Sequence, residues 1–180
     1  MATIKLSTLI GQSEADIIKA LNEEVVQPWH DCADSTYTSL SKQAILADTE
    51  YAFECNAIIR DVDNLPSHID KLWDKTTNTA VFTGVVDTPL YVARIQFTFL
   101  PGTAAEGVMQ FRAYINETVP VLIQQIRNTF KTTESRMEAL FAFYLGSETG
   151  YDVKGKGMKF TYSSSRAGQV YDRGVLIYKT

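Results

Sequence analysis

The sequence predicts an all-β protein, an antiparallel β-sandwich preceded by a short helical and irregular segment at the N terminus. Three observations lead to this prediction. From residue 44 onward, apolar and polar residues mostly alternate with the period of two that is typical of a half-buried strand. Turn-forming residues recur at intervals of roughly 8–15 residues. No amphipathic helix separates the predicted strands, which argues against alternating α/β units.

Composition and charge exclude several classes of protein. The chain has 180 residues, 45% of them hydrophobic, which suits one globular domain with a short appendage. It contains no apolar run long enough to cross a membrane, and Met1–Ser13 lacks the features of a signal peptide. Cys32 and Cys55 are too few for a disulfide framework and lack zinc-site spacing, so both are expected to be reduced and Cys55 to be buried. We expect the chain to be made and to stay in a cytosol-like compartment.

The N-terminal segment contains one predicted helix. Ser13 is a good N-cap, Asp16 complements the helix dipole, and Pro28 marks the end of the helix. Gln27–Lys42 is polar and aperiodic, so it is interpreted as a connector. We therefore divide the chain into an N-terminal segment, residues 1–43, and a sandwich domain, residues 44–180. The apolar stripe of this helix and one nearby aromatic side chain comprise five residues: Ile17, Ile18, Leu21, Val25 and Trp29.

The first predicted strand contains Tyr51, Phe53, Cys55 and Ala57 in alternation with polar residues. Asp63–Pro66 then forms a turn. A second strand, Ile69–Asp74, is followed by the turn Thr76–Thr79 and a short return strand through Val81 and Phe82, which indicates a hairpin.

The strongest strand signal is Leu90–Leu100, where Tyr91, Ala93, Ile95, Phe97 and Phe99 share one face. The segment Val119–Phe130 suits either a short helix or a strand, and its β-branched residues favour a strand. The remaining predicted strands are Met109–Ile115, Met137–Leu145, Met158–Tyr162 and Val170–Tyr178. About eight short strands in this arrangement favour a jelly roll.

His30 and Cys32 are the residue types of a nucleophilic catalytic pair. On an extended chain, residues two apart lie about 6.5 Å from each other, which we expect to be too far for proton sharing. The alternative interpretation, a packing cluster around Trp29 near the helix end, is preferred. The sequence therefore predicts no catalytic residues and no enzyme.

Two further segments resemble ligand sites without satisfying their requirements. Asp61, Asp63, Asn64 and Asp70 could surround calcium, but Pro66 stands where a helix–loop–helix site needs glycine. A solvated turn is the preferred interpretation of these residues. Lys154–Lys159 lacks the spacing of a phosphate-binding loop and is interpreted as a hairpin turn with exposed lysines. No metal and no cofactor are predicted.

Nucleic-acid binding is not expected, because the chain carries a net charge of −4 and its pI is near 5.2. The aromatic residues instead suggest an interface. Tyrosines on several strands suit contacts with a protein or a sugar, and the alternative is an ordinary core edge. The tyrosines predicted to form an oligomer interface are Tyr91, Tyr114, Tyr144, Tyr162 and Tyr178.

Two runs of sequence carry a resemblance to a known family. Ile69–Thr79 reads IDKLWDKTTNT, and Leu90–Pro101 reads LYVARIQFTFLP. Together with the final strand, Asp172–Tyr178, they are similar to small virion proteins of tailed bacteriophages, over about residues 61–180. The resemblance implies a trimeric jelly roll akin to tumour-necrosis-factor-like heads, displayed on a capsid or tail as a decoration, fibre or spike. It supplies no catalytic residues.

Together with this resemblance, the observations predict a non-enzymatic virion structural protein that is synthesised in the host cytoplasm. Residues 1–43 would form an attachment segment, with the particle contacted by Ile17, Ile18, Leu21, Val25 and Trp29. The partners of the protein would be two further copies of itself, in a homotrimer, and other capsid or tail proteins of the virion. The alternative is a host-receptor or glycan-binding module, which would take a host surface glycan as its partner. No nucleic acid and no membrane are expected among the partners.

Overall fold

The computed structural model describes residues 13–56, 58–85, 90–145 and 153–180. These residues form two six-stranded antiparallel sheets packed face to face. Sheet 1 contains β10, β7, β12, β1 and β4 in that order, with β2 paired to β12. The bounds of its strands are β1 Trp29–Asp34, β2 Gln43–Ile45, β4 Ile58–Asn64, β7 Leu90–Pro101, β10 Ser135–Tyr144 and β12 Gly168–Lys179. The prediction of an all-β sandwich is confirmed.

Sheet 2 contains β5, β6, β11, β8 and β9 in that order, with β3 paired to β11. The bounds of its strands are β3 Glu50–Ala52, β5 Trp73–Asp74, β6 Thr79–Ala80, β8 Gly107–Ile115, β9 Val121–Phe130 and β11 Met158–Ser164. The chain crosses between the sheets after β2, β3, β4, β6, β7, β9, β10 and β11, and such repeated crossing is expected of a jelly roll.

The period-two pattern places one set of side chains in the core. On β7 the five residues Tyr91, Ala93, Ile95, Phe97 and Phe99 are all fully buried, as their shared face predicted. Neighbouring β10 pairs with β7 along its whole length, so Ala139 lies opposite Ile95 and both point inward. Phe and Tyr rings from the two sheets then meet in the middle, with Phe97 contacting Phe111 and Tyr162.

Two predicted details of the second half are settled by the structure. The segment predicted at Val119–Phe130 contains the strand β9, Val121–Phe130, rather than a helix, since its β-branched residues fit a ladder with β8. The Lys154–Lys159 hairpin prediction is wrong, because Val153–Lys156 forms one helical turn, α2, before β11 begins. Gly157 ends that turn at φ 74°, where an added Cβ would lie 2.3 Å from the backbone oxygen of Ala80.

The connector predicted for Gln27–Lys42 is wrong in its first half. Residues 29–34 form β1, which lies inside sheet 1 between β12 and β4. Its inward positions are occupied by His30, Cys32 and Asp34 instead of apolar residues, and this hides the strand pattern in the sequence. The predicted attachment segment, residues 1–43, therefore contains a strand of the sandwich.

Several early strands differ from their predicted lengths. The strand expected at Tyr51–Ala57 ends at Ala52 as β3, although Phe53 and Cys55 beyond it are still buried, and Ala57 lies outside the described residues. The strand expected at Ile69–Asp74 is reduced to β5, and it pairs with β6 in the predicted hairpin. The strand β4 was not predicted.

The helix α1 spans Glu14–Val26 and ends just before Pro28, as predicted. Ser13 caps it, since its Oγ accepts a hydrogen bond of 3.2 Å from the backbone N–H of Asp16. None of the helices formed by the described residues has the length and apolar character needed to cross a membrane.

Candidate functional site

The inner face of β1 brings together side chains of the types used in catalysis and metal binding. His30 and Cys32 point toward Asp61, which lies opposite Cys32 on β4. The Asp61 Oδ1 lies 2.6 Å from the His30 Nε2 and 3.2 Å from the Cys32 Sγ, and the Sγ lies 3.3 Å from the Nε2. The expectation that distance keeps His30 and Cys32 from sharing a proton is therefore wrong, since their side-chain atoms lie within hydrogen-bonding distance. The imidazole ring is long enough to bridge the distance between the two backbone positions. Both side chains also contact the same carboxylate oxygen of Asp61.

The hydrogen bonds of His30 fix which ring nitrogen carries the proton. Its Nδ1 accepts hydrogen bonds from the backbone N–H groups of Leu72 and Trp73, at 3.1 and 3.3 Å. An accepting Nδ1 places the proton of the neutral ring on Nε2, which donates to Asp61. The Nε2 therefore has no lone pair available to deprotonate Cys32.

The surroundings of Cys32 and Asp61 also fix the protonation states of these two side chains. Burial, followed by the hydrogen bond to Asp61, raises the pKa of the Cys32 thiol far above its usual range. Burial opposes ionisation of Asp61, but hydrogen bonds from Lys75, His30 and Cys32 outweigh it and lower the pKa of that carboxyl group. The bond between the Lys75 Nζ and the Asp61 Oδ2 is 2.5 Å long, and it raises the pKa of Lys75. The thiol is held protonated beside a stable carboxylate.

The protonation states and hydrogen bonds of this cluster do not fit a nucleophilic cysteine or a metal site. A reactive cysteine is a thiolate with a depressed pKa, and Cys32 is the opposite. His30, Cys32 and Asp61 could each offer one ligand atom to a metal ion. A metal-bound histidine donates its second N–H to an acceptor, however, whereas the second nitrogen of His30 accepts two N–H groups. The cluster instead fastens β1 to β4 and to the backbone of residues 72 and 73.

The structure also bears on the predictions for the two cysteines and for a calcium site at Asp61. Both cysteines are free and buried, as expected, and burial raises the pKa of Cys55 to about 12. The calcium alternative is weakened because the Asp61 carboxylate is already bonded to Lys75, His30 and Cys32. Asp61 also lies within β4 rather than in a solvated turn.

The outward side of sheet 1, which we call the outer face of sheet 1, carries exposed apolar side chains interspersed with charged ones such as Arg94 and Asp31. Register places Leu140, Arg94, Leu176, Asp31 and Val62 in one row across five strands. The next row contains Ala142, Val92, Tyr178, Trp29 and Asn64, and Leu90 lies opposite Tyr144 beyond it. Leu90, Leu140, Tyr144 and Val62 on this face are exposed. A patch of this kind marks an interaction surface more often than an isolated exposed leucine does.

The five tyrosines predicted to form an interface do not share one surface. Tyr91 and Tyr162 are buried in the core, against Phe82 and Phe97 respectively, so their assignment to an interface is wrong. Tyr144 and Tyr178 lie on the outer face of sheet 1. Tyr114 lies on sheet 2, where its hydroxyl donates a 3.0 Å hydrogen bond to Glu50.

The predicted attachment residues are also divided. Ile18 and Leu21 on α1 are 51% and 42% exposed, while Ile17 is half-buried. Val25 belongs to the same helix, but its side chain lies outside the described part of the structure. Trp29 lies apart from the helix stripe, on the outer face of sheet 1 opposite Tyr178.

Comparison with known proteins identifies similar folds at low sequence identity. The chain matches no protein-family model and no curated protein sequence. Among solved structures, Eiger TNF from S. frugiperda has a TM-score of 0.49 and 9% identity, covering 86% of this chain and 92% of that one. The globular domain of zebrafish complement 1qA protein has a TM-score of 0.43 and 8% identity, covering 84% and 96%.

A third solved structure, the Tobacco streak virus coat protein, has a TM-score of 0.32 and 13% identity, covering 86% of this chain and 87% of that one. At such identities the likeness concerns the fold alone. The TM-scores are too low for the function of this chain to be inferred from any of the three structures.

Proposed function

We propose that the chain is a non-enzymatic structural protein of a bacteriophage virion, which forms a homotrimer through the outer face of sheet 1. The observation that supports self-assembly is that exposed apolar side chains of β7, β10 and β4 all lie on the outer face of one sheet. Burying such a face against a second copy removes apolar area from water, and obligate interfaces are built in this way. The subunit number of three and the virion location are supported by the sequence resemblance over residues 61–180.

The non-enzymatic part of the proposal is supported by the His30, Cys32 and Asp61 cluster. Its thiol is protonated and its imidazole is fully engaged, so this pair has a structural role. Capsid decoration, head fibre and tail component all agree with a sandwich that presents one apolar face to its own copies.

Replacing Leu140 by glutamate should dissociate the oligomer into single chains. Leu140 is 50% exposed on the outer face of sheet 1, where a partner would desolvate the new carboxylate. Light scattering should give a mass near the 20.1 kDa of one chain for L140E, with unchanged circular dichroism.

The matched control is L122E, a change of the same type at a leucine 46% exposed on the other sheet. This variant should keep the mass of the native oligomer. If L122E dissociates and L140E does not, the interface lies on sheet 2 and the proposed face is wrong.

We further propose that residues 1–26 serve attachment to the virion rather than self-assembly. Ile18 and Leu21 are exposed on α1 and are therefore available to a particle protein. A chain that begins at Gln27 keeps all of β1 and should retain the oligomeric mass and melting temperature of the full chain. Loss of the oligomer in this shortened chain would show that α1 belongs to the assembly interface instead. A chain that begins at Ala44 lacks β1 and should not fold.

A further inference from the structure

A polar cavity opens on the outward side of sheet 2, the sheet opposite the proposed assembly face. Its volume is about 240 Å³. Ser163 on β11, Gln110 on β8 and Arg127 on β9 lie side by side in register and form its base. The other lining residues are Asp48, Val108, Ser164 and Ser165. The cavity is smaller than the roughly 300–1,000 Å³ pockets of drug-sized ligands, so it suits a single ring.

The serine hydroxyls of this cavity are arranged to donate hydrogen bonds. Ser164 Oγ accepts from the backbone N–H of Arg166 at 3.1 Å, and Ser165 Oγ accepts from that of Val108 at 2.9 Å. Ser163 Oγ accepts from Arg112 Nη1 at 3.5 Å. Each hydroxyl uses a lone pair in this way and keeps its own hydrogen. Within the described residues, no acceptor is recorded for these three hydrogens.

Two nitrogen groups add to the donors. The Gln110 Oε1 accepts a 2.6 Å hydrogen bond from Arg112 Nη2, which leaves the amide NH₂ of Gln110 as its donating end. Arg127 is exposed and lines the cavity, and among the described residues it has no recorded ion pair. Hydroxyl, amide and guanidinium donors at one place favour a ligand group with several oxygen acceptors and a negative charge.

Asp48 adds a hydrogen-bond acceptor to this group of donors. Its backbone has φ 57°, in the left-handed region, and its N–H donates a 2.7 Å hydrogen bond to the carbonyl oxygen of Ser164. The Asp48 carboxylate is an acceptor at the rim of a donor-rich cavity, so it would receive a hydroxyl group of the same ligand. Val108 is exposed on the wall and offers an apolar contact to a ring.

We infer that this cavity binds one acidic saccharide unit. Its carboxylate or sulfate would face the serines, Gln110 and Arg127, and a ring hydroxyl would donate to Asp48. The inference does not depend on the proposed trimer, because the two surfaces lie on opposite sheets. It assigns residues to the glycan-binding alternative that the sequence left without a site.

The test is a titration of the full chain, followed by nuclear magnetic resonance, with four probes: glucuronic acid, sulfated glucose, glucose and inorganic sulfate. Glucuronic acid or sulfated glucose should shift the resonances of the cavity residues at millimolar concentration, and comparison of the two identifies the acidic group. Glucose should bind more weakly by roughly tenfold, since it lacks the charge-assisted bonds.

Variants at exposed positions test the donor group Arg127 and the acceptor Asp48 separately. R127Q should weaken the acidic sugars roughly tenfold. D48G removes the acceptor at a position whose positive φ glycine tolerates, and it should weaken the sugars but not inorganic sulfate. The control R136Q, an exposed arginine on sheet 1, should change neither. Equal binding of glucose and glucuronic acid, no binding of any sugar, or binding of inorganic sulfate alone would each overturn the inference.

Discussion

Replacing Arg173 by alanine should destabilise the fold by about 3–5 kcal/mol, among the largest effects of any single substitution in the chain. Arg173 and Asp34 are both fully buried, and the Arg173 Nε and Nη2 donate to the Asp34 Oδ2 at 2.9 and 2.5 Å. A third donor, Nη1, reaches the Gln43 Oε1 at 3.3 Å, and the guanidinium lies 4.6 Å from the ring centre of Tyr37. Without Arg173, the Asp34 carboxylate is buried without its charge partner.

Urea unfolding of R173A measures this effect directly. The double variant R173M/D34L should recover most of the lost free energy of unfolding, because a buried ion pair replaced on both sides by apolar groups is often neutral. The exposed arginine substitution R136A should change stability by less than about 0.5 kcal/mol. If R173A is no more destabilised than R136A, the ion pair does not hold β12 to β1.

Replacing His30 by alanine should also destabilise the fold strongly, by about 3–5 kcal/mol. The substitution leaves the backbone N–H groups of Leu72 and Trp73 buried without their acceptor, and each such loss costs about 1–3 kcal/mol. It also removes the 2.6 Å bond to Asp61 that joins β1 to β4.

Comparison with C32A distinguishes a structural cluster from a catalytic pair. Cys32 makes only weak thiol contacts, so C32A should lower the free energy of unfolding by about 1 kcal/mol. A catalytic pair would give the opposite pattern, with H30A and C32A equally inactive in an assay and neither unfolded. Denaturant unfolding of both variants beside the native chain decides between the two.

The sequence predicted the strands whose buried positions are apolar and missed those whose buried positions are polar. On β7 and β10 every inward residue is aromatic or aliphatic, so the alternation is visible in the sequence alone. On β1 the inward residues are His30, Cys32 and Asp34, and each is satisfied by a partner at least 29 positions away in the chain. Polar residues in phase become a core strand only through such distant partners.

The interface prediction failed where it ignored strand phase. Tyr91 is in phase with the buried Ala93 and Ile95, and Tyr162 is in phase with Phe160, so both point inward. Tyr144 and Tyr178 are out of phase with the buried positions of their strands and point outward. The phase of each strand, read from the sequence, distinguishes these two groups. The cavity on sheet 2 could not be predicted, because Asp48, Ser163 and Arg127 come together only through the pairing of separate strands and loops.

The central claim is that the exposed apolar side chains on the outer face of sheet 1 join copies of this chain. The most direct test is the mass of the purified native protein by light scattering over a dilution series. We expect a mass of three times the 20.1 kDa of one chain, maintained on dilution through the micromolar range. A mass of one chain at every concentration would contradict the claim.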